Sequence, residues 1–272
     1  MASVDITYIN PLAIGGLGKP LTENDLAVSR ITYNDLPYIE NQDRPAENYA
    51  KHLLETISLI VRHNMGANFR PHVAHRHDFL PSDKVRFEIP LDGMPYKLTK
   101  ATDITELDLG NMHSTCFKVI GADIVGVEHA EGPPPLAANK ISGAFLKEWT
   151  DYLNKHGLTN LLMLDFGQFG KGMEATTEME VQLGGTCATL VVPLSAVTGY
   201  DIEQVPTSWM VPRRHGPEAR DSSPDQPAPG TYWAKRVNDL THKVYINTNA
   251  SEVGTGEQLV DALVKASILK AT

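Results

Sequence analysis

Apolar positions along this chain switch between two periods, and each switch predicts an element. From Pro45 to Gly66, Tyr49, Leu53, Ile57, Ile60 and Val61 recur at helical spacing, with Asp43 placed to cap the helix and Gly66 to stop it. Phe145, Leu146, Trp149, Tyr152 and Leu153 form a second helical face between a Ser142 cap and a Gly157 stop. A third helix opens at Thr255-Gly256-Glu257-Gln258 with a capping-box pattern and carries Leu259, Ala262, Leu263 and Ala266 on one side. Elsewhere the period is two. Val85, Phe87 and Ile89 alternate with Lys84, Arg86 and Glu88, the pattern of a sheet wet on one face. Residues 114 to 120 and 124 to 127 read as strands joined at Gly121-Ala122-Asp123, and residues 161 to 166 as a further apolar strand. Met179, Val181 and Leu183 alternate up to Gly184-Gly185 and Ala188, Leu190 and Val192 alternate back, a hairpin; residues 243 to 247 offer one more strand.

Strands in pairs, with helices between and after them, predict an α+β fold: a mostly antiparallel sheet with helices packed on one face, in a single domain over residues 1 to 272. Residues 1 to 45 read as turns. Within them Gly15-Gly16-Leu17-Gly18-Lys19 lacks the spacing of a phosphate loop, since Ala13 and Pro20 stand where a glycine and a Ser or Thr are required. Residues 211 to 230 hold five prolines and almost no aliphatic side chain, which predicts a long loop or lid.

Composition narrows the function. With 42% apolar and 21% charged residues, and no run near the roughly 18 apolar residues of a membrane helix, the chain reads as soluble with no membrane partner. A net charge of −9 argues against nucleic-acid binding, because phosphate neutralisation needs a concentrated excess of Lys and Arg. The N-terminus shows no signal-peptide pattern and there are only two cysteines, Cys116 and Cys187, so a cytoplasmic protein without a disulfide framework is expected. Nothing in the pattern indicates an oligomeric state.

Candidate chemistry concentrates in residues 69 to 78, where three of the ten histidines fall within six positions. Histidine titrates near neutrality and also ligates metals, so the cluster has two uses. Read as a strand, the stretch places His75 and His77 on one face with Val73, and His72 and Arg76 on the other. In the first reading His75 and His77, paired with Asp78 or Glu128, exchange protons, while Arg70 or Arg76 holds a substrate carboxylate or enolate. Trp209 and Trp233, flanking the Pro-rich loop, wall the pocket. That predicts a cofactor-independent isomerase, cyclase or lyase acting on a small, largely apolar metabolite. In the alternative, His75 and His77 bind a divalent metal such as zinc or iron, with a further ligand from His113, Glu128 or His129, giving a hydrolase or oxygenase. A small-molecule binding protein without catalysis is the third reading, and histidines bonded to carbonyls at a sheet edge are the purely structural one.

The run His75-Arg76-His77, the strand pair from Cys116 to His129, the helix Phe145-Leu146-Lys147-Glu148-Trp149 leading to Gly157-Leu158, and the hairpin at Glu178-Met179-Glu180 occur in that order. Over roughly residues 60 to 195 the chain resembles a loose group of fungal proteins with a His-Arg-His motif and no settled activity. The resemblance implies a fungal-type accessory protein, in keeping with specialised metabolism, and supplies no catalytic residue.

Overall fold

A computed structural model describes residues 8–39, 45–169, 173–183, 186–198, 202–211, 229–236, 243–244 and 255–270. The predicted Asp43 cap, the Gly184-Gly185 turn, residues 245 to 247 and most of the Pro-rich loop lie outside the described residues.

Among the described residues, eleven strands form one sheet: β1 (Phe69–Val73), β2 (Lys84–Pro90), β3 (Lys97–Asp103), β4 (Met112–Ile120), β5 (Asp123–Glu131), β6 (Leu162–Phe166), β7 (Thr176–Leu183), β8 (Thr186–Pro193), β9 (Ile202–Trp209), β10 (Pro229–Arg236) and β11 (Lys243–Val244). Four α-helices accompany them: α1 (Glu23–Asn34), α2 (Pro45–Arg62), α3 (Gly143–His156) and α4 (Gly256–Lys265). The strand order is β10-β9-β1-β6-β4-β5-β2-β3-β8-β7-β11, and β10 also pairs with β7, so the sheet closes on itself. The pairs β2–β5, β10–β7 and β11–β7 are parallel and the others antiparallel. The fold is α+β with a mostly antiparallel sheet, as the alternation predicts.

Closure gives the sheet an outward and an inward face. Outward, α3 seats Phe145, Leu146, Trp149 and Leu153 on Phe69, Phe117, Leu162, Leu164 and Phe166, all buried in one cluster. α4 covers the other side, with Leu259 and Leu263 against Leu98, Met179, Val181, Leu190 and Val192. Each such side chain contributes about 1.5–3 kcal/mol by leaving water. The helix ends follow local chemistry: Ser142 accepts from Phe145 N at the start of α3, and Gly157, at φ 66°, supplies the left-handed residue that ends it.

The reading of residues 1 to 45 as turns is overturned by α1. Thr22 and Asp25 cap one another in a reciprocal box, and Leu26 and Tyr33 are fully buried. The Gly-rich loop ahead of it is structural: Gly16, at φ 72°, accepts from Ser114 N at 2.8 Å, and a Cβ there would lie 2.1 Å from Ser114 Oγ. Among the described residues no helix is long and apolar enough to cross a membrane.

Candidate metal centre

With Phe69 and Val73 facing the helices, β1 turns Arg70 and His72 to the inner face. The strand ends at Val73, and the next residues bend away, Ala74 N bonding Leu161 O and Arg76 bridging to Tyr38. The bend breaks the two-residue alternation. His72 therefore joins the other two histidines instead of facing away: its ring stacks on His75 at 5.0 Å, and His75 meets His77 edge-on at 4.8 Å. Across the interior, β7 turns Met179 and Val181 to α4 and directs Glu178 and Glu180 at the cluster.

Each histidine is held through Nδ1 by an acceptor. His75 Nδ1 donates to Val73 O at 2.9 Å, His77 Nδ1 to Glu180 Oε1 at 2.9 Å, and His72 Nδ1 to Asp165 Oδ2 at 3.2 Å. In the neutral ring these bonds place the proton on Nδ1 and leave Nε2 with its lone pair, the arrangement metal-binding histidines adopt when a carboxylate or carbonyl orients them. The lone pairs then converge. His75 Nε2 and His77 Nε2 are 3.1 Å apart, and Glu178 Oε2 lies 3.6 Å from the first and 3.4 Å from the second. His72, His75 and Glu178 also present ligand atoms within 4.8 Å of one another. Nitrogen and oxygen ligands placed about 2.0–2.1 Å from a tetrahedral ion stand about 3.3–3.4 Å apart, which is the size of the triangle observed. Glu178 is itself fixed, its Oε1 accepting from Thr207 Oγ1 at 2.5 Å.

Electrostatics act differently on each member of the cluster. Burial opposes ionisation of Glu178, but His75 and His77 outweigh it and hold the carboxyl well below its usual range. Burial likewise opposes ionisation of Asp165, and His72 and Arg70 outweigh it. On His75 burial wins and favours the neutral ring. On His77 burial is outweighed by Glu178 and Glu180, and the pKa is pushed up to about 9.

The other predicted residues are distributed differently. Asp78 does not pair with the histidines: its Oδ1 accepts from Tyr33 Oη at 3.0 Å, and its Oδ2 lies 3.5 Å from Arg86 Nη1. Glu128 lies 3.9 Å from Arg86 Nε and keeps 31% of its side-chain surface open. Burial is nonetheless the largest influence on it and lifts its carboxyl, against the pull of Arg86, His72 and His77. Arg70 is bonded to Asp165 through Nε at 3.0 Å and lies over Phe169, while Arg76 points away, over the rings of Tyr38 and Phe79. Arg70 thus shares Asp165 Oδ2 with His72.

His113 and His129 do not reach the cluster. His113 Nδ1 donates to Gly132 O at 2.9 Å, and both ring nitrogens of His129 are occupied, Nε2 by Ser29 Oγ at 2.9 Å and Nδ1 by Ser114 Oγ at 3.1 Å. Trp209 is core, packed with Leu53, Ile57 and Val73 under α2, and not a pocket wall. Trp233 lies on β10, where its backbone pairs with Val205 and Glu178. The residues missed from sequence are His72, Glu178, Glu180 and Asp165. One signal for the glutamates existed: in Glu178-Met179-Glu180 the two carboxylates share a face opposite the apolar row Met179 and Val181.

No family model, curated protein or solved structure matches this chain.

Proposed function

We propose that the protein is a metal-dependent enzyme acting on a small metabolite, with a divalent first-row ion held by His72, His75, His77 and Glu178. The observation that carries this reading is the meeting of His75 Nε2, His77 Nε2 and Glu178 Oε2, three acceptors within 3.6 Å with no donor among them once each Nδ1 carries its proton. Facing lone pairs and a carboxylate in a buried site repel unless a cation lies between them. An ion bound there supplies Lewis acidity towards an oxygen of the substrate or of water. The chain supplies the rest: Asp165, Glu180 and the Val73 carbonyl orient the imidazoles, and Glu128 takes up or returns the proton. Whether the proton leaves carbon, as in an isomerase or lyase, or water, as in a hydrolase, the same two groups serve. This reading replaces cofactor-free catalysis by His75 and His77 as the leading one.

A metal-free reading has one observation in its favour. A second proton on His77, consistent with its raised pKa of about 9, would donate to His75 Nε2 and relieve the same repulsion. Elemental analysis and calorimetric titration with zinc, manganese and iron(II) separate the two. We expect about one equivalent of ion per chain, lost in the His75→Ala, His77→Ala double variant. A folded, active protein that takes up none of these ions supports the proton and sinks the metal.

A further inference from the structure

We infer that Thr207 is a positioning residue that sets which ion the centre prefers: by holding Oε1 of Glu178 it leaves Oε2 alone to face the histidines, which favours an ion of low coordination number such as zinc over oxygen-seeking ions such as manganese or calcium. The inference rests on the metal reading above. Glu178 is buried, and both its oxygens are engaged. Oε1 accepts from Thr207 Oγ1 at 2.5 Å, while Oε2 lies 3.6 Å from His75 Nε2 and 3.4 Å from His77 Nε2. A carboxylate held in this way offers an ion one oxygen. Calcium gathers about six to eight oxygen ligands and takes carboxylates through one oxygen or both, whereas zinc is satisfied by about four ligands of nitrogen, sulfur or oxygen.

Thr207 reaches Glu178 through a break in strand alternation. Trp209 packs outward against Leu53 and Ile57 of α2, and regular alternation would set Thr207 on the same side. Opposite the single step from Thr231 to Tyr232 on β10, however, β9 takes two steps, from Ser208 to Pro206, so Thr207 is the extra residue of a β-bulge. The bulge turns two consecutive hydroxyls inward. Thr207 reaches Glu178 on β7, across β10, and Ser208 Oγ donates to Asp165 Oδ2 on β6 at 3.3 Å. Both residues are fully buried. Their effects on the centre differ: Ser208 acts on the orientation of His72, through Asp165, whereas Thr207 acts on the number of oxygens that Glu178 can offer. Without the Thr207 hydroxyl, Oε1 is released to turn toward the ion beside Oε2 and add an oxygen ligand.

The test uses the full chain. Cobalt(II) absorbs strongly in the visible when four-coordinate and weakly as ligands are added, so it reports the ligand count, and chelator competition gives the affinities for zinc and manganese. In Thr207→Val the zinc affinity should fall about tenfold, in the range for groups that orient metal ligands, while manganese moves by less than about twofold and the cobalt band weakens. Thr207→Ser, which restores the hydroxyl, should restore both. Ser208→Ala should lower zinc and manganese together and keep their ratio. If Thr207→Val does not fold, Thr207→Ala is read the same way. An unchanged zinc-to-manganese ratio in the hydroxyl-free variants, including the loss of both ions together, overturns the selection and leaves the metal site standing, as does a serine variant that behaves like the valine one. A wild-type chain that takes up none of the three ions overturns the metal site, and the selection with it.

Discussion

His129 shows how a histidine can be fully buried without being a ligand. Two serine hydroxyls satisfy its ring, and burial, reinforced by nearby His113, pulls its pKa down to about 3. In the unfolded chain the same ring titrates near 6.5, so below that pH the unfolded state takes up a proton that the folded state refuses. The contribution to stability is complete above pH 6.5 and is lost as pH falls toward 3, by up to about 5 kcal/mol. Urea unfolding of wild type and His129→Gln between pH 7 and 4 checks this: the variant should lose stability less steeply, and parallel slopes would refute it. The contrast with His75 and His77 explains what could be read in advance. A dense run of histidines is visible as composition. Which of the ten histidines find serines and which find glutamates depends on pairing partners about a hundred positions away.

At the level of elements, the loop carrying His75 and His77 is held by the end of α1. Tyr33 Oη accepts from His77 N at 3.1 Å and donates to Asp78, while Asn34 brackets Leu80 with bonds to both its N–H and its carbonyl. Tyr33→Phe leaves a buried N–H and a carboxylate without that partner, at a cost of about 1–3 kcal/mol. Because the loop positions two ligands, zinc affinity should fall about tenfold, within the range for groups that orient metal ligands. Competition with a zinc chelator, beside urea melts of the metal-free protein, reads both effects; unchanged zinc affinity would show that α1 has no part in positioning. α1 is also the element the periodicity failed to reveal. Its exposed face carries Val28 and Ile31, blurring the apolar stripe, and its capping box uses Asp25 where Glu or Gln is the commoner partner. α2, α3, α4 and the β7–β8 hairpin were legible because each buries an apolar row, and the β4–β5 pair because a short Gly121-containing turn separates two apolar runs. The inward rows of β1 and β7 were not, since a polar row lining a closed sheet has the same alternation as one facing solvent.

For the whole molecule, the centre joins parts of the chain that meet only when the ring is complete. His77 and Glu180 are 103 positions apart, and one route through the sheet from β1, which precedes His77, to β7 passes through β9 and β10. Three of the proposed ligands are neighbours in sequence, but Glu178 joins them only in the closed sheet, so an ion bound at the full set would stabilise the closed fold over any open one. At an ion concentration 100-fold above Kd the gain is about 2.7 kcal/mol. At about 2–4 °C per kcal/mol for a chain near this size, the melting midpoint should rise about 5–10 °C. Calorimetric scans with zinc and with excess chelator check it, and coincident midpoints would disconnect the centre from closure.

Ring closure through β7 and β10 has a consequence for the living cell. If the proposed ion is bound, an unfolded chain can offer it only the neighbouring histidines, and Glu178 joins them when the barrel is finished. On the metal reading proposed above, its steady-state amount would follow metal supply: under starvation a larger fraction of molecules would open and be cleared by proteases. Turnover of the polypeptide would then report on metal supply, through the 103 positions that separate His77 from Glu180.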